Sequence, residues 1–326
     1  MVRRITLVCV IASVFVALPA AGQPKPGVAR IGILSMFPSA NPGRFLVFKE
    51  KLRELGHEEG KTITFETRFG GEKYDQLPAL AAELVKLKVD VIMVDGGTPP
   101  TMAAMGATRN IPIVFCCIAD PVGQRLVRSL SKPGGNVTGV SVQQPEFASK
   151  SLDLFRQILP EAKRIGVLTN PRNASLPPVI EQMRSAAQAL GLEMQVIHVG
   201  SASQFDQAFR EAETMRLAGM IILRDAMFMT EARRLSILAA TARIPTMGGD
   251  NSFPESGALS SYSPSTPDLL RSAAVLVDKV IKGANPSDLP VEQPSKFDFI
   301  VNRATARALG VTIPMQVLLR ADRVID

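Results

Sequence analysis

The sequence predicts an α/β fold of two doubly wound lobes joined by a hinge. Three observations carry this. The chain has 326 residues, and at about 100–200 residues per domain that is two domains. It repeats itself at an offset close to 134 residues. Each copy alternates short apolar strands with amphipathic helices, the pattern of a parallel sheet covered on both faces.

The repeat is read from three matches. Arg30-Ile31-Gly32-Ile33-Leu34 returns as Arg164-Ile165-Gly166-Val167-Leu168, Leu55-Gly56 as Leu190-Gly191, and Ile111-Pro112 as Ile244-Pro245. Their offsets of 134, 135 and 133 residues agree, which marks two copies of one unit.

In the first copy Ala29–Leu34 is a strand, and Arg44–Leu55 has helical spacing and stops at Gly56. Thr62–Arg68 alternates as a strand, Asp75–Lys88 is an amphipathic helix, and Val89–Val94 and Ile111–Ile118 are apolar strands. The second copy gives strand Arg164–Leu168, helix Pro178–Leu190, strand Glu193–Val199, helix Gln204–Arg216 and strand Met220–Leu223. Helix Thr230–Ala242 and strand Ile244–Met247 complete it. Beyond it, Asp268–Lys282 is a strong helix ended by Gly283, and Asn285–Pro294 is a Pro-rich linker. Phe297–Val301 is a further strand and Thr305–Leu309 a short helix. The expected division is 1–22 as a leader, 28–143 plus about 253–285 as lobe 1, and 144–252 plus about 290–326 as lobe 2. Chain crossings, and so hinge residues, are expected in Ser141–Phe147, Asn251–Ser256 and Asn285–Gln293.

The leader has Arg3 and Arg4, then an apolar run from Ile5 to Leu18, then Pro19-Ala20-Ala21-Gly22. This is the pattern of a cleaved secretory signal peptide. The run is shorter than the roughly 20 residues of a membrane span. A periplasmic location follows. The two cysteines of the mature chain, Cys116 and Cys117, then meet an oxidising compartment. A strand sends adjacent side chains to opposite faces, so two free, mostly buried thiols are expected.

Composition excludes several classes. Hydrophobic residues make up 46% and charged residues 21%, as in a folded globular protein. The 37 basic and 30 acidic residues are scattered, so no nucleic-acid-binding arm is present. Only two histidines occur, His57 and His198, neither at metal-ligand spacing from a cysteine or carboxylate. The G-x-S-x-G elbow, the P-loop and G-x-G-x-x-G are all absent. No catalytic residue, cofactor or metal is expected.

Open parallel sheets bind ligands beyond the carboxyl ends of their strands. That rule nominates Ser35–Pro38, Asp95–Pro99 and Ala119–Val122 in lobe 1, and Thr169–Asn173, Arg224–Phe228 and Gly248–Asn251 in lobe 2. In Gly96-Gly97-Thr98-Pro99-Pro100, Thr98 suits a helix N-cap and Pro99 the first helical position. Free amides there favour an anion such as a carboxylate; the same residues also suit a plain strand-to-helix turn. Asp225 and Asp250 end strands and suit a ligand ammonium, as Asp120 does in the first copy, or serve as turn carboxylates. Asn170 suits a polar ligand or a turn. Phe37, Phe228 and Tyr262 are candidates to contact an apolar ligand body, and Ser35 lies on the first of the loops.

Several segments resemble one family. They are Leu55-Gly56-His57-Glu58-Glu59-Gly60, Tyr74-Asp75-Gln76-Leu77-Pro78-Ala79-Leu80-Ala81, Ile111-Pro112-Ile113-Val114-Phe115, Asp120-Pro121-Val122, Pro133-Gly134-Gly135-Asn136-Val137-Thr138-Gly139-Val140 and Ala308-Leu309-Gly310. Ile313-Pro314 and Leu319-Arg320-Ala321-Asp322 close the set. Together they are similar to the ABC-transporter substrate-binding family that includes the tryptophan/tyrosine-binding proteins. The resemblance implies a type I periplasmic binding protein fold of two Rossmann-like lobes and no enzymatic activity. It implies a monomer that captures a small carboxylate-bearing ligand, an aromatic or branched amino acid, and delivers it to an ABC permease in the inner membrane. Gly97-Thr98 is the implied carboxylate cradle and Asp225 the implied ammonium partner. Asp120 and Asn170 stand where the lobes meet the ligand. Arg125 and Ser263 depart from the family, where glycine is usual, and Arg224 and Phe228 are candidates for a preference of this pocket's own. A binding module of a sensory system and an exported Rossmann-like enzyme are the alternatives.

Overall fold

The computed structural model describes residues 27–38, 42–71 and 73–326. The expected leader, 1–22, lies outside the described residues. The first unit runs β1 (Ala29–Ser35), α1 (Pro42–Glu54), β2 (Ile63–Phe69), α2 (Leu77–Lys86), β3 (Val91–Asp95), α3 (Thr98–Ala107), β4 (Ile113–Ile118) and β5 (Val137–Ser141). The second runs α4 (Gln144–Ile158), β6 (Arg164–Thr169), α5 (Leu176–Ala189), β7 (Glu193–His198), α6 (Phe205–Thr214), β8 (Gly219–Ile222), α7 (Ala226–Thr230), α8 (Ala232–Thr241), β9 (Thr246–Gly248), α9 (Ser252–Glu255) and β10 (Ser260–Pro264). Then come α10 (Thr266–Ile281), β11 (Phe297–Asn302), α11 (Arg303–Leu309), α12 (Met315–Arg320) and β12 (Arg323–Ile325).

Among the described residues the strands form two sheets. One has the order β2-β1-β3-β4-β5 and the other β12-β11-β10-β9-β8-β6-β7. The two-lobed, doubly wound α/β architecture expected from the sequence is present. All pairs of the first sheet are parallel. In the second, β11 runs antiparallel to β10, and the remaining pairs are parallel.

The central strands of each sheet are buried on both faces because they are apolar at odd and even positions alike. In β3, Val91 and Met93 join one core cluster, and Ile92 and Val94 the other. In β8, Ile221 joins one cluster, and Met220 and Ile222 the other. The repeat has a packing cause. A Cβ on Gly32 would lie 3.0 Å from Val89, and one on Gly166 would lie 2.6 Å from Leu217. At both, the segment leading into the neighbouring strand presses against the sheet.

The chain passes between the sheets at three places: after β5 at Val142 and Gln143, between β10 and α10 at Ser265, and between Glu292 and β11. Gln143 has a left-handed φ of 52°, and Glu292 still bridges Val140 of the first sheet. Two boundaries differ from expectation. Residues 251–256 are no crossing: α9 stays in the second lobe, where Phe253 is fully buried. Residues 260–264, expected in lobe 1, are β10 of the second sheet, and the chain returns to the first lobe with α10 and the segment through Glu292. The Ser-Ser-Tyr-Ser-Pro composition hid that strand. Its serines are buried, and Ser261 and Ser263 donate to Asn251 Oδ1 at 3.2 and 2.8 Å.

Candidate functional site

In an open sheet the crevice lies where strand order reverses. In the first sheet that point is between β1 and β3, and in the second between β6 and β8. The loops at the two points face one another. A small cavity of about 30 Å³ is lined by Phe37, Asp95, Gly96 and Gly97 from one lobe and by Asn173, Ser175, Arg224 and Asp225 from the other. A wider cleft of about 580 Å³ adjoins it, bounded by Phe37, Arg44, Met229, Asp250 and Thr266 among others. Phe37, Arg44 and Met229 border both spaces.

On the first lobe, Gly96 and Gly97 have φ of 108° and 94°, conformations open to glycine. A Cβ on Gly96 would lie 2.5 Å from that of Met36. Because Gly97 turns left-handed, it becomes the N-cap of α3 and Thr98 moves into the helix. Thr98 is therefore not the cap, and Pro99 is the second helical residue. The prolines remove two amide donors of the first turn, leaving those of Thr98 and Thr101. Thr98 is buried, and among the described residues its Oγ1 has no hydrogen-bond partner. Thr101 Oγ1 donates to Gly97 O at 2.9 Å and fixes the turn. Ser35 Oγ accepts from the Phe37 amide at 3.1 Å and sets that loop.

Arg44, which the loop rule does not reach, supplies the positive charge. It donates to both Asp95 oxygens, at 2.9 and 2.7 Å, and lies 3.8 Å from the Phe37 ring centroid. Burial disfavours its charge, but the Asp95 carboxylate outweighs burial and raises its pKa.

On the second lobe, Asp225 caps α7 by accepting from the Met227 amide at 3.0 Å. Asn170 and Asn173 donate to its two oxygens at 3.1 and 2.9 Å. Burial pushes its pKa up, against these bonds. Asn170 also donates to Tyr74 Oη at 2.7 Å across the lobes. Asp250 is held by Arg224 at 2.6 Å and by Thr266 Oγ1 at 2.7 Å.

The remaining candidates stand elsewhere. Asp120 accepts from the Gly123 amide at 2.8 Å and closes its own turn. Phe228 is fully buried and packs on Phe205, ring centroids 6.0 Å apart. Tyr262 stacks on Phe297 at 5.6 Å, where it touches the cores of both lobes. None of these three lines either cavity. Arg125 has a left-handed φ of 56°.

The cysteines overturn the opposite-faces expectation. Cys117 has a left-handed φ of 69°, and the register shifts between Cys116 and Ile118. This bulge turns both sulfurs to one side, 2.8 Å apart. Both thiols are free. The Asp95 carboxylate stands close to them, but both its oxygens already accept from Arg44.

Comparison with known proteins assigns the scaffold. Residues 45–325 match the family model of ABC transporter substrate binding proteins. The chain belongs to that family. Among curated proteins, this substrate-binding protein is similar to the tyrosine-binding protein of Clostridioides difficile, 27% identical over 266 residues, 81% of this chain and 75% of that one. Among solved structures it matches a conserved domain protein of Vibrio cholerae, 27% identical with a TM-score of 0.86, covering 91% of this chain and all of that one. It also matches an ABC domain of Streptococcus pneumoniae in complex with L-Trp, 25% identical with a TM-score of 0.85, covering 92% of this chain and all of that one. Family members are solute-binding proteins rather than enzymes, and work outside the cytoplasm. Among the described residues no helix is long and apolar enough to cross a membrane.

Proposed function

We propose that this is the extracytoplasmic solute receptor of an ABC importer, and that it captures an aromatic or branched amino acid between its lobes. One observation carries the reading: the switch-point crevices of both sheets open into one shared space. The wider cleft has the size of a small-molecule site, about 300–1,000 Å³. Side-chain movement of Phe37, Arg44 and Met229 joins it to the inner cavity.

In this reading the ligand carboxylate sits on the Gly97-Thr98 turn, where the buried Thr98 hydroxyl and the first free amides of α3 donate to it. The ammonium turns to Asp225, which Asn170 and Asn173 hold in place. Opposite lobes thus grip opposite ends of a zwitterion. Met229 and Phe37 face its side chain. The names of the relatives, one binding tyrosine and one bound to L-Trp, agree with this chemistry. The protein acts as a monomer that hands its ligand to an inner-membrane permease, without catalysis.

Calorimetric titration of L-tryptophan, L-tyrosine and L-leucine into the purified protein tests this, with D-glucose as control. Binding of an amino acid and not of the sugar is expected. Asp225→Asn keeps the helix cap, since Asn and Asp cap equally well. It is expected to weaken the zwitterion at least tenfold, in line with the cost of truncating one partner of a buried charge pair. Indole-3-propionate, which lacks the amine, is expected to bind both forms alike. Equal affinity of the two forms for L-tryptophan removes Asp225 from the site.

A further inference from the structure

We propose that Cys116 and Cys117 are a reversible dithiol–disulfide pair set in the wall of the cleft, with Cys117 as the entry thiol and Cys116 as the resolving thiol. Their sulfurs already stand 2.8 Å apart on one side of β4. The left-handed Cys117 and the bulge after Cys116 prepare this arrangement, which a regular strand forbids. The two thiols differ in access. Cys116 is fully buried, whereas Cys117 is partly exposed and lines the cavity beside Asp95 and Arg224. They differ in acidity in the same sense. Burial pushes the Cys116 thiol up, while the hydrogen bond from Cys116 pulls Cys117 down against its own burial and the Asp95 carboxylate, helped by the nearby Arg224 and Arg44 guanidinium groups. The more exposed thiol is thus also the readier thiolate, as nucleophilic attack requires.

The oxidant is a small-molecule disulfide of the extracytoplasmic space. Cys117 thiolate attacks one of its sulfurs and expels one thiolate, leaving a mixed disulfide. Cys116 gives up its proton and attacks the Cys117 sulfur, expelling the second thiolate. The pair loses two protons and two electrons, and the oxidant takes them up and leaves as two thiols. Adjacent Cα atoms lie about 3.8 Å apart, below the usual 4.4–6.8 Å of a disulfide. Such a bond is strained and easily reduced, which suits a reversible element rather than a structural staple. Metal binding is the weaker use of these sulfurs, because Arg44 occupies both oxygens of the neighbouring carboxylate and a closed thiolate site takes four ligands.

The test is mass spectrometry of the thiol state. The folded protein is equilibrated with glutathione disulfide, quenched in acid, alkylated and digested with trypsin. The peptide Asn110–Arg125 contains both cysteines and no other. The wild-type peptide is expected to emerge two hydrogens lighter, without a glutathione adduct, and to return to the dithiol with dithiothreitol. C116S is expected to trap a glutathione adduct on Cys117. C117S is expected to react at least tenfold more slowly, because its remaining thiol is buried. A stable adduct on the wild type, a wild-type peptide still alkylated at both thiols, or equal rates for the two variants overturns the proposal.

Discussion

Arg224 and Asp250 form a buried ion pair at the edge of the cleft, each about 5% exposed. Burial raises the Asp250 pKa, but Arg224 and the hydrogen bonds from Ser252 and Thr266 outweigh it and hold the carboxyl at about 2, below its ordinary 3.8. The folded pKa lies below the unfolded one. Its stabilisation is therefore complete above about pH 4 and is lost as pH falls through 2. A shift of this size corresponds to about 2 kcal/mol. Asp225 runs the other way: burial raises its pKa, so its cost is relieved on acidification. Arg224→Ala leaves Asp250 charged and unpaired, and is expected to cost ~3–5 kcal/mol at pH 7. In urea unfolding the loss should shrink at pH 2–3, where Asp250 of the variant, without Arg224, is protonated; a loss that stays constant with pH contradicts the pairing. Strand-end position alone marked both aspartates in the sequence. It did not show that Asp250 is already neutralised, because its partner lies 26 residues away and is joined to it only by the sheet. Phe228 was misplaced for a related reason. Periodicity does not say whether an aromatic after a strand turns into the cleft or into the core.

α10 is the element on which the first lobe depends. Leu269, Leu270, Ala273, Ala274, Leu276, Val277 and Val280 form its buried face and join the core cluster of α1 and the first sheet. Ser265 Oγ accepts from the Asp268 amide as its N-cap. Thr266, in its first turn, accepts from Arg224 and donates to Asp250, which ties this helix of the first lobe to the second. Leu276 is 1% exposed. Leu276→Ala is expected to cost ~2–5 kcal/mol, read as a lower melting temperature with ligand stoichiometry unchanged; a shift under a degree contradicts its place in the core. Long periodic helices such as α10 and α5, and the wholly apolar β3, were legible in the sequence. β5, α4 and β10 were not. Gly139 interrupts the first, the left-handed Gln143 introduces the second, and serine-rich composition conceals the third. Arg44 was equally invisible as a site residue, since it lies on α1 and reaches the strand end only by the length of its side chain.

At the scale of the molecule, three short crossings join lobes that already touch. Asn170 meets Tyr74 at 2.7 Å, and Arg172 stacks over the Tyr74 ring, 4.5 Å from its centroid. Arg172 also pairs with Asp75 at 3.3 Å. In the proposed hinge closure these contacts form as the lobes come together and part as they open. Small-angle scattering is expected to show a smaller radius of gyration with L-tryptophan than without, and a smaller change in Tyr74→Ala. An unchanged radius in the wild type rejects closure. The sequence showed two lobes through its repeat, but the course of the chain between them came from contacts far apart in sequence. That course has a consequence for how the protein is made. The first lobe's core stays open until α10 arrives, and α10 ends at residue 281 of 326. A ribosome must translate past residue 281 before the earliest-made half has all its parts. A premature stop just after Pro264 damages both halves together: the first is left without α10 and the second without β11 and β12.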